Sequence, residues 1–312
     1  MKIYLITSNP VIGDVLKVDL EKVGDFEIID GQKLTAQEVI EKASDAEILI
    51  AGSSGLEKIS DELLSGLPNL KYISTLTVGL AWVDIEAVKK HGVKLSNVKG
   101  ANSESVAEHT WAMILDLSKR VTEFDRDVRN KNAFKFAEYT GKEVFEKTIG
   151  IIGLGDIGQK IARIAKAFNM KILGVNKSNK EVEGVKLVDL DTLYKESDII
   201  AICTPLTLET ENLISDEAVS KMKDGVIIVN SAMEKITNKE SVFKGLEGGK
   251  IFGFGIETEI SQPADPSYLN HPRVIVTPHN AFNTEDANKK TYEMAVENVM
   301  KLVEGNPIRL IV

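Results

Sequence analysis

Residues 148–158 read TIGIIGLGDIG, an apolar run that ends in glycines and passes straight into an amphipathic stretch, and few folds accommodate such text. A buried strand, a tight turn and a helix account for every residue. Gly153 permits the turn, Gly155 leaves the backbone open to a close approach, and Gly158 lets helix and strand pack tightly. The helix start presents unpaired N–H groups and the positive end of a dipole, which suits a pyrophosphate. Gly153, Gly155, Asp156, Ile157 and Gly158 are therefore candidate cofactor-binding residues.

Around this motif the whole chain alternates short apolar runs with helical periodicity. The runs KIYLIT (2–7), FEIID (26–30), AEILIAG (46–52), YISTL (72–76) and VKLSNV (93–98) come before it. From 148 onward the strand candidates are TIGIIGLG, KILGVN (171–176), DIIAICTP (198–205), GVIIVNSA (225–232), FGIE (254–257) and RVIVTPH (273–279). Strand–helix alternation of this kind predicts parallel sheets wrapped by helices, and six strands in series suffice for a complete doubly wound sheet. Between the two series, Val106, Met113, Ile114, Leu117 and Val121 recur at helical spacing and predict one long connecting helix. A last helix through Ala287, Tyr292, Ala295, Val296, Val299 and Leu302 is expected to lead back to the first domain. The expected class is α/β with doubly wound parallel sheets in two domains, residues 1–100 plus 285–312 and residues 101–284, the second holding the glycine motif.

Charge and cysteine content narrow the setting. The 312 residues carry 38 basic and 47 acidic side chains, a net charge of −9, which disfavours nucleic acid or an anionic membrane as the main partner. No run of about 18 apolar residues appears, so neither export nor a membrane span is predicted. With one cysteine, Cys203, an intrachain disulfide and a CxxC metal framework are both excluded, and a cytoplasmic location is the expectation.

The end of the second strand of the inserted domain bears on the cofactor. An NAD site places a carboxylate there, about 20 residues beyond the glycines, to accept the ribose hydroxyls. This chain has Asn176, followed by Lys177, Ser178, Asn179 and Lys180. An amide, a hydroxyl and cationic groups can receive a 2′-phosphate that a carboxylate would repel, so NADP is the preferred cofactor, with NAD as the alternative.

The Thr77-Val78-Gly79 loop, NVKGANSESVAEH (97–109), the glycine motif, CTPLTLETENLI (203–214) and TPHNA (277–281) stand in an order and spacing that resembles the D-isomer-specific 2-hydroxyacid dehydrogenases. The likeness extends over roughly residues 70 to 300, and residues 1–70 match only in pattern. It implies two Rossmann-like domains, with the dinucleotide-binding domain inserted in a flavodoxin-like substrate domain, a hydride transfer between a nicotinamide cofactor and a small 2-oxo or 2-hydroxy acid, and a homodimer. Carried over position by position, it implies that Val78 and Gly79 offer backbone amides to a substrate carboxylate. It likewise implies that Thr204, Pro205, Thr207, Ser231 and Ala232 line the cofactor and that His279 is the general acid. His91, His109 and His271 lack such support and read as surface or packing residues, as do Trp82 and Trp111.

Three positions depart from the family pattern. Met233 stands where the resemblance implies a catalytic arginine, and a thioether cannot clamp a carboxylate or polarise a carbonyl. Gln262 stands where it implies a glutamate beside the histidine, and resembles formate dehydrogenases instead. Glu257 stands where an aspartate would meet the nicotinamide carboxamide. These departures leave three readings open: an oxidoreductase with weakened or altered activity, a non-catalytic NADP(H)-binding sensor or partner-binding protein, and a formate-type hydride donor.

Overall fold

The computed structural model describes residues 1–8, 17–130, 136–178, 181–258 and 269–312. Gln262, Asn179 and Lys180 lie outside the described residues. Two compact units are present, one of Met1–Asn102 with Thr284–Val312 and the other of Ser103–Asn283. Among the described residues, no helix is long and apolar enough to cross a membrane.

In the first unit, β1 (Lys2–Thr7), β2 (Asp25–Asp30), β3 (Ile48–Ala51), β4 (Tyr72–Thr75) and β5 (Lys94–Ser96) form a parallel sheet in the order β2-β1-β3-β4-β5. Alternate residues of the same strands feed separate cores. Tyr4, Ile6, Leu49, Ala51 and Ile73 join one cluster, and Ile3, Leu5, Ile48, Ile50 and Tyr72 join another. A sheet covered on both faces explains why these strands read as nearly continuous apolar text. The helix Glu285–Val303 packs on this sheet through fully buried Asn298, whose amide donates to Ser74 Oγ at 3.3 Å and to the Asn97 carbonyl at 3.0 Å. Arg309 Nη1 donates to its Oδ1 at 2.8 Å.

The second unit holds β6 (Thr148–Ile152), β7 (Lys171–Val175), β8 (Lys186–Leu187), β9 (Ile199–Ile202), β10 (Val226–Asn230), β11 (Ile251–Glu257) and β12 (Val274–Thr277). Their order is β12-β11-β10-β9-β6-β7-β8, one strand more than the sequence pattern indicates. The extra strand, β8, has two residues and is too short for any periodicity to announce it. Strand order reverses between β6 and β9, and the carboxyl ends of strands at such a reversal are where open α/β sheets bind ligands.

The expected single connecting helix is in fact two. Helix Ser103–Lys119 stops where Arg120 takes a left-handed φ of 59°, and helix Val121–Asn130 starts afresh. Asp116 fixes the break, because its carboxylate accepts from the Thr122 amide at 2.8 Å and from the Thr122 hydroxyl. Val121 is accordingly 58% exposed and leaves the apolar stripe assigned to it.

Candidate active site

The glycine turn joins β6 to helix Asp156–Ala167, and its three glycines answer to different demands. Gly153 has φ 99°, and a Cβ there would lie 2.8 Å from the Cys203 carbonyl oxygen and 2.9 Å from the Thr204 nitrogen. At Gly158 a Cβ would lie 2.0 Å from the Gly153 carbonyl oxygen. Both glycines are required by the protein's own packing. Gly155 is not: its φ is −71°, and a Cβ would meet nothing within 4 Å. Its open backbone is the N-cap of a helix with no side-chain cap, which leaves the first amide donors and the positive dipole end without a capping side chain. These residues fit a dinucleotide pyrophosphate.

Neighbouring strand ends surround the turn. Cys203, just past β9, donates its thiol to the Gly153 carbonyl at 3.1 Å, and burial pushes that thiol up to about 12. Its hydrogen bond ties the end of β9 to the turn. Beyond it, the Thr210 hydroxyl donates to the Pro205 carbonyl at 2.8 Å and accepts from the Thr207 amide at 2.7 Å, which folds Thr204, Pro205 and Thr207 into a compact loop. At the end of β7, Asn176 Oδ1 accepts from the Leu154 amide at 3.4 Å, while Nδ2 donates to Ser178 Oγ at 2.8 Å. Lys177 pairs with Glu209 at 3.2 Å, with both side chains largely exposed.

After β10, the Ser231 amide and hydroxyl donate to the Ile202 carbonyl at 3.2 and 3.3 Å. Buried Asn230 shapes the following turn by accepting from the Ala232 amide at 3.0 Å and donating to the Met233 carbonyl at 3.0 Å. The Met233 side chain is half-buried and packs against the apolar cluster containing Ile202, Ile228 and Ile256.

Register places the chemistry-bearing residues at one edge, since Asn230 of β10 lies beside Ile256 of β11 and Glu257 beside Thr277 of β12. Glu257 is only 4% exposed and turned into the protein. Its Oε1 accepts from the Thr277 hydroxyl and lies 3.3 Å from His109 Nε2, and its Oε2 accepts from the Ala281 amide at 2.9 Å. Burial alone would push this carboxyl up, but hydrogen bonds from His109, Thr277 and Ala281, with the charge of His109, outweigh it and bring the group down to about 2. Both oxygens make bonds within the protein.

His279 is exposed and has a left-handed φ of 50°, an uncommon conformation for a residue with a Cβ. Strain of this kind persists only where neighbours fix the chain on both sides. Here the His279 amide donates to the Thr277 carbonyl at 3.0 Å, and Ala281 is held by Glu257 at its amide and by Ser105 Oγ at its carbonyl, 2.6 Å away. His109, read from sequence as a surface or packing residue, belongs to this bonded group. The available signal was spacing: Ser105 and His109 are four residues apart on one helix and so share a face. His91 bonds Asp61 at 2.9 Å, His271 lies 3.4 Å from Glu247, and Trp111 stacks on Phe168 at 5.1 Å.

In the first unit, three side chains fix the Val78 loop. Thr75 Oγ1 donates to the Thr77 carbonyl at 3.0 Å, Asn97 Nδ2 to the Val78 carbonyl at 3.0 Å, and Thr77 Oγ1 to the Gly79 carbonyl at 2.9 Å. Trp82 Nε1 braces Thr77 Oγ1 at 2.9 Å. With the carbonyls so occupied, the Val78 and Gly79 amides have no acceptor among the described residues, and a Cβ on Gly79 would meet nothing within 4 Å.

The chain is similar to several known proteins. Residues 111–281 match the family model for the D-isomer specific 2-hydroxyacid dehydrogenase NAD binding domain. A D-3-phosphoglycerate dehydrogenase of Methanocaldococcus jannaschii is 32% identical across 97% of this chain, which spans 58% of that relative's length. A hydroxypyruvate reductase of Thermotoga maritima is 33% identical across 88% of this chain and 90% of its own length. Among solved structures, an acyclic imino acid reductase in complex with NADPH and D-Arg is 27% identical, covers 100% of both chains and has a TM-score of 0.88. With its glycine turn, its reversed sheet and these likenesses, the chain belongs to the D-isomer-specific 2-hydroxyacid dehydrogenase family.

Proposed function

We propose that this protein is a nicotinamide-dependent reductase of small 2-oxo acids and, in preference, of the imines those acids form with amines, with NADPH favoured over NADH. The observation that carries the proposal is Met233, a neutral thioether packed on an apolar cluster where the resemblance implies a guanidinium. A 2-oxo acid builds negative charge on its oxygen as hydride arrives, and losing a cationic partner for that charge typically costs roughly 10²–10³ in rate. A protonated imine has the opposite need: it is already cationic, and a guanidinium beside it would repel it. The solved imino acid reductase with full-length likeness supports the same reading.

When bound, the nicotinamide supplies the hydride, and the chain's residues hold and protonate the acceptor. Gly155 and the first amides of helix Asp156–Ala167 would take the pyrophosphate, with Ile157, Thr204, Pro205, Thr207, Ser231 and Ala232 around it. The Val78 and Gly79 amides, without an acceptor among the described residues, suit a substrate carboxylate. Exposed His279 donates a proton to the oxygen of a 2-oxo acid, whereas a protonated imine brings its own. Asn176 and Ser178 offer an amide and a hydroxyl to a 2′-phosphate, and the exposed Lys177–Glu209 pair, worth about 0–1 kcal/mol, opens at little cost to add a cation.

Initial rates of NADPH oxidation with pyruvate and glyoxylate, each with and without excess methylamine, test the proposal. Faster turnover with the amine present is expected. Equal rates would remove the imine preference, and silence throughout with NADPH still bound would leave a binding protein. Fluorescence titration should show NADPH binding more tightly than NADH, and the reverse order would overturn the cofactor preference.

A further inference from the structure

We propose that His109, acting through Thr277 and Glu257, is a positioning residue that sets the left-handed turn and the ring direction of His279. This assignment rests on the reductase reading for its kinetic consequence, but its geometry stands independently.

Proton bookkeeping makes the connection directional. Glu257 Oε1 and Oε2 can only accept while the carboxylate is ionised, and Thr277 commits its single hydroxyl proton to Oε1. His109 Nε2 lies 3.2 Å from Thr277 Oγ1 and 3.3 Å from Glu257 Oε1, both acceptors in this arrangement, so Nε2 must carry hydrogen. A buried carboxylate with three donors is far stronger than one with two, because each lost donor leaves charge without solvation. The third donor thus helps to fix the Glu257 carboxylate in place. Glu257 in turn holds the Ala281 amide at 2.9 Å, while Ser105, one helical turn before His109, holds the Ala281 carbonyl at 2.6 Å. Between Thr277 and Ala281 lies His279, with φ 50° and its amide on the Thr277 carbonyl. Both ends of the strained turn are therefore gripped by helix Ser103–Lys119 and by Glu257. Departure from the family's aspartate explains the reach: the longer side chain spans from the end of β11 to the Ala281 amide.

The experiment compares wild type with His109→Leu, His109→Gln and Thr277→Val in the full chain, and reads kcat, KM, NADPH affinity and the His279 ring resonance. The chain has 4 histidines, so His279→Ala assigns that resonance directly. His109→Leu should lower kcat for the 2-oxo acid, the substrate that takes its proton from His279, by roughly 10²-fold, shift the His279 resonance and leave NADPH affinity within about twofold. His109→Gln, whose amide can donate from nearly the same place, should recover most of the loss. Thr277→Val removes the hydroxyl with little change of shape and should reproduce the His109→Leu effect, which keeps the test decisive if that variant does not fold. An unmoved His279 resonance with unchanged kcat in His109→Leu and Thr277→Val would overturn the assignment. So would a loss that His109→Gln fails to restore. If wild type shows no turnover, the reductase reading falls, and the resonance alone decides this one.

Discussion

The three glycines of the cofactor turn look equivalent as text but differ as residues, and that difference can be measured. Gly155→Ala should leave the melting temperature unchanged and weaken NADPH binding, because only a ligand needs the space a Cβ would fill. Gly158→Ala should instead destabilise the fold by about 1–3 kcal/mol, since its Cβ would overlap the Gly153 carbonyl. Equal effects on stability and affinity at both positions would contradict the separation. At Met233 the expectation is a reversal of preference: Met233→Arg should raise kcat/KM for a 2-oxo acid by roughly 10²–10³ and lower it for the imine. His279→Ala should cost turnover of the 2-oxo acid by roughly 10²–10⁴ and spare the imine, in steady-state rates taken with saturating NADPH. The sequence made Gly153, Gly155, Gly158, Met233 and His279 visible through their spacing. It hid the role of His109, because a histidine's partners lie on strands more than 140 residues away in the chain, at Glu257 and Thr277.

At the scale of elements, the strands were readable because fully covered parallel strands are nearly continuous apolar runs, and β3 is buried at all four positions. What escaped was local chemistry that periodicity does not record: the break at Arg120 depends on one carboxylate, Asp116, finding the Thr122 amide. The coupling of β11 to β12 through Glu257 gives a pH dependence of known sign. Its carboxyl lies below the ordinary 4.5, at about 2, so its stabilisation is complete above pH 4.5 and is lost as pH falls toward 2. Denaturant unfolding of wild type and Glu257→Gln should show a gap at neutral pH, on the order of 3 kcal/mol, that closes below pH 4.5. A gap independent of pH would mean that packing, not charge, holds Glu257 in place.

For the whole molecule, the division into two units, each with a parallel sheet of its own, follows from the doubled strand–helix series, and the family assignment follows from the motifs strung along it. Assembly is a further expectation. Among the described residues, helix Val121–Asn130 has none that is buried, and it exposes Val121 and Val128 at 58% and 57%, which suits a surface covered by a second copy. Light scattering should therefore give twice 34.2 kDa, and a monomeric mass would contradict it. The proposed reaction is hydride transfer at the ends of β10, β11 and β12. NADPH deuterated at both C4 positions, incubated with the protein, pyruvate and methylamine, tests that transfer by the mass of the product. One deuterium on the product's C2 carbon, lost together with turnover in His279→Ala when pyruvate is given alone, is the predicted result. Unlabelled product, or none while the cofactor is bound, would contradict it.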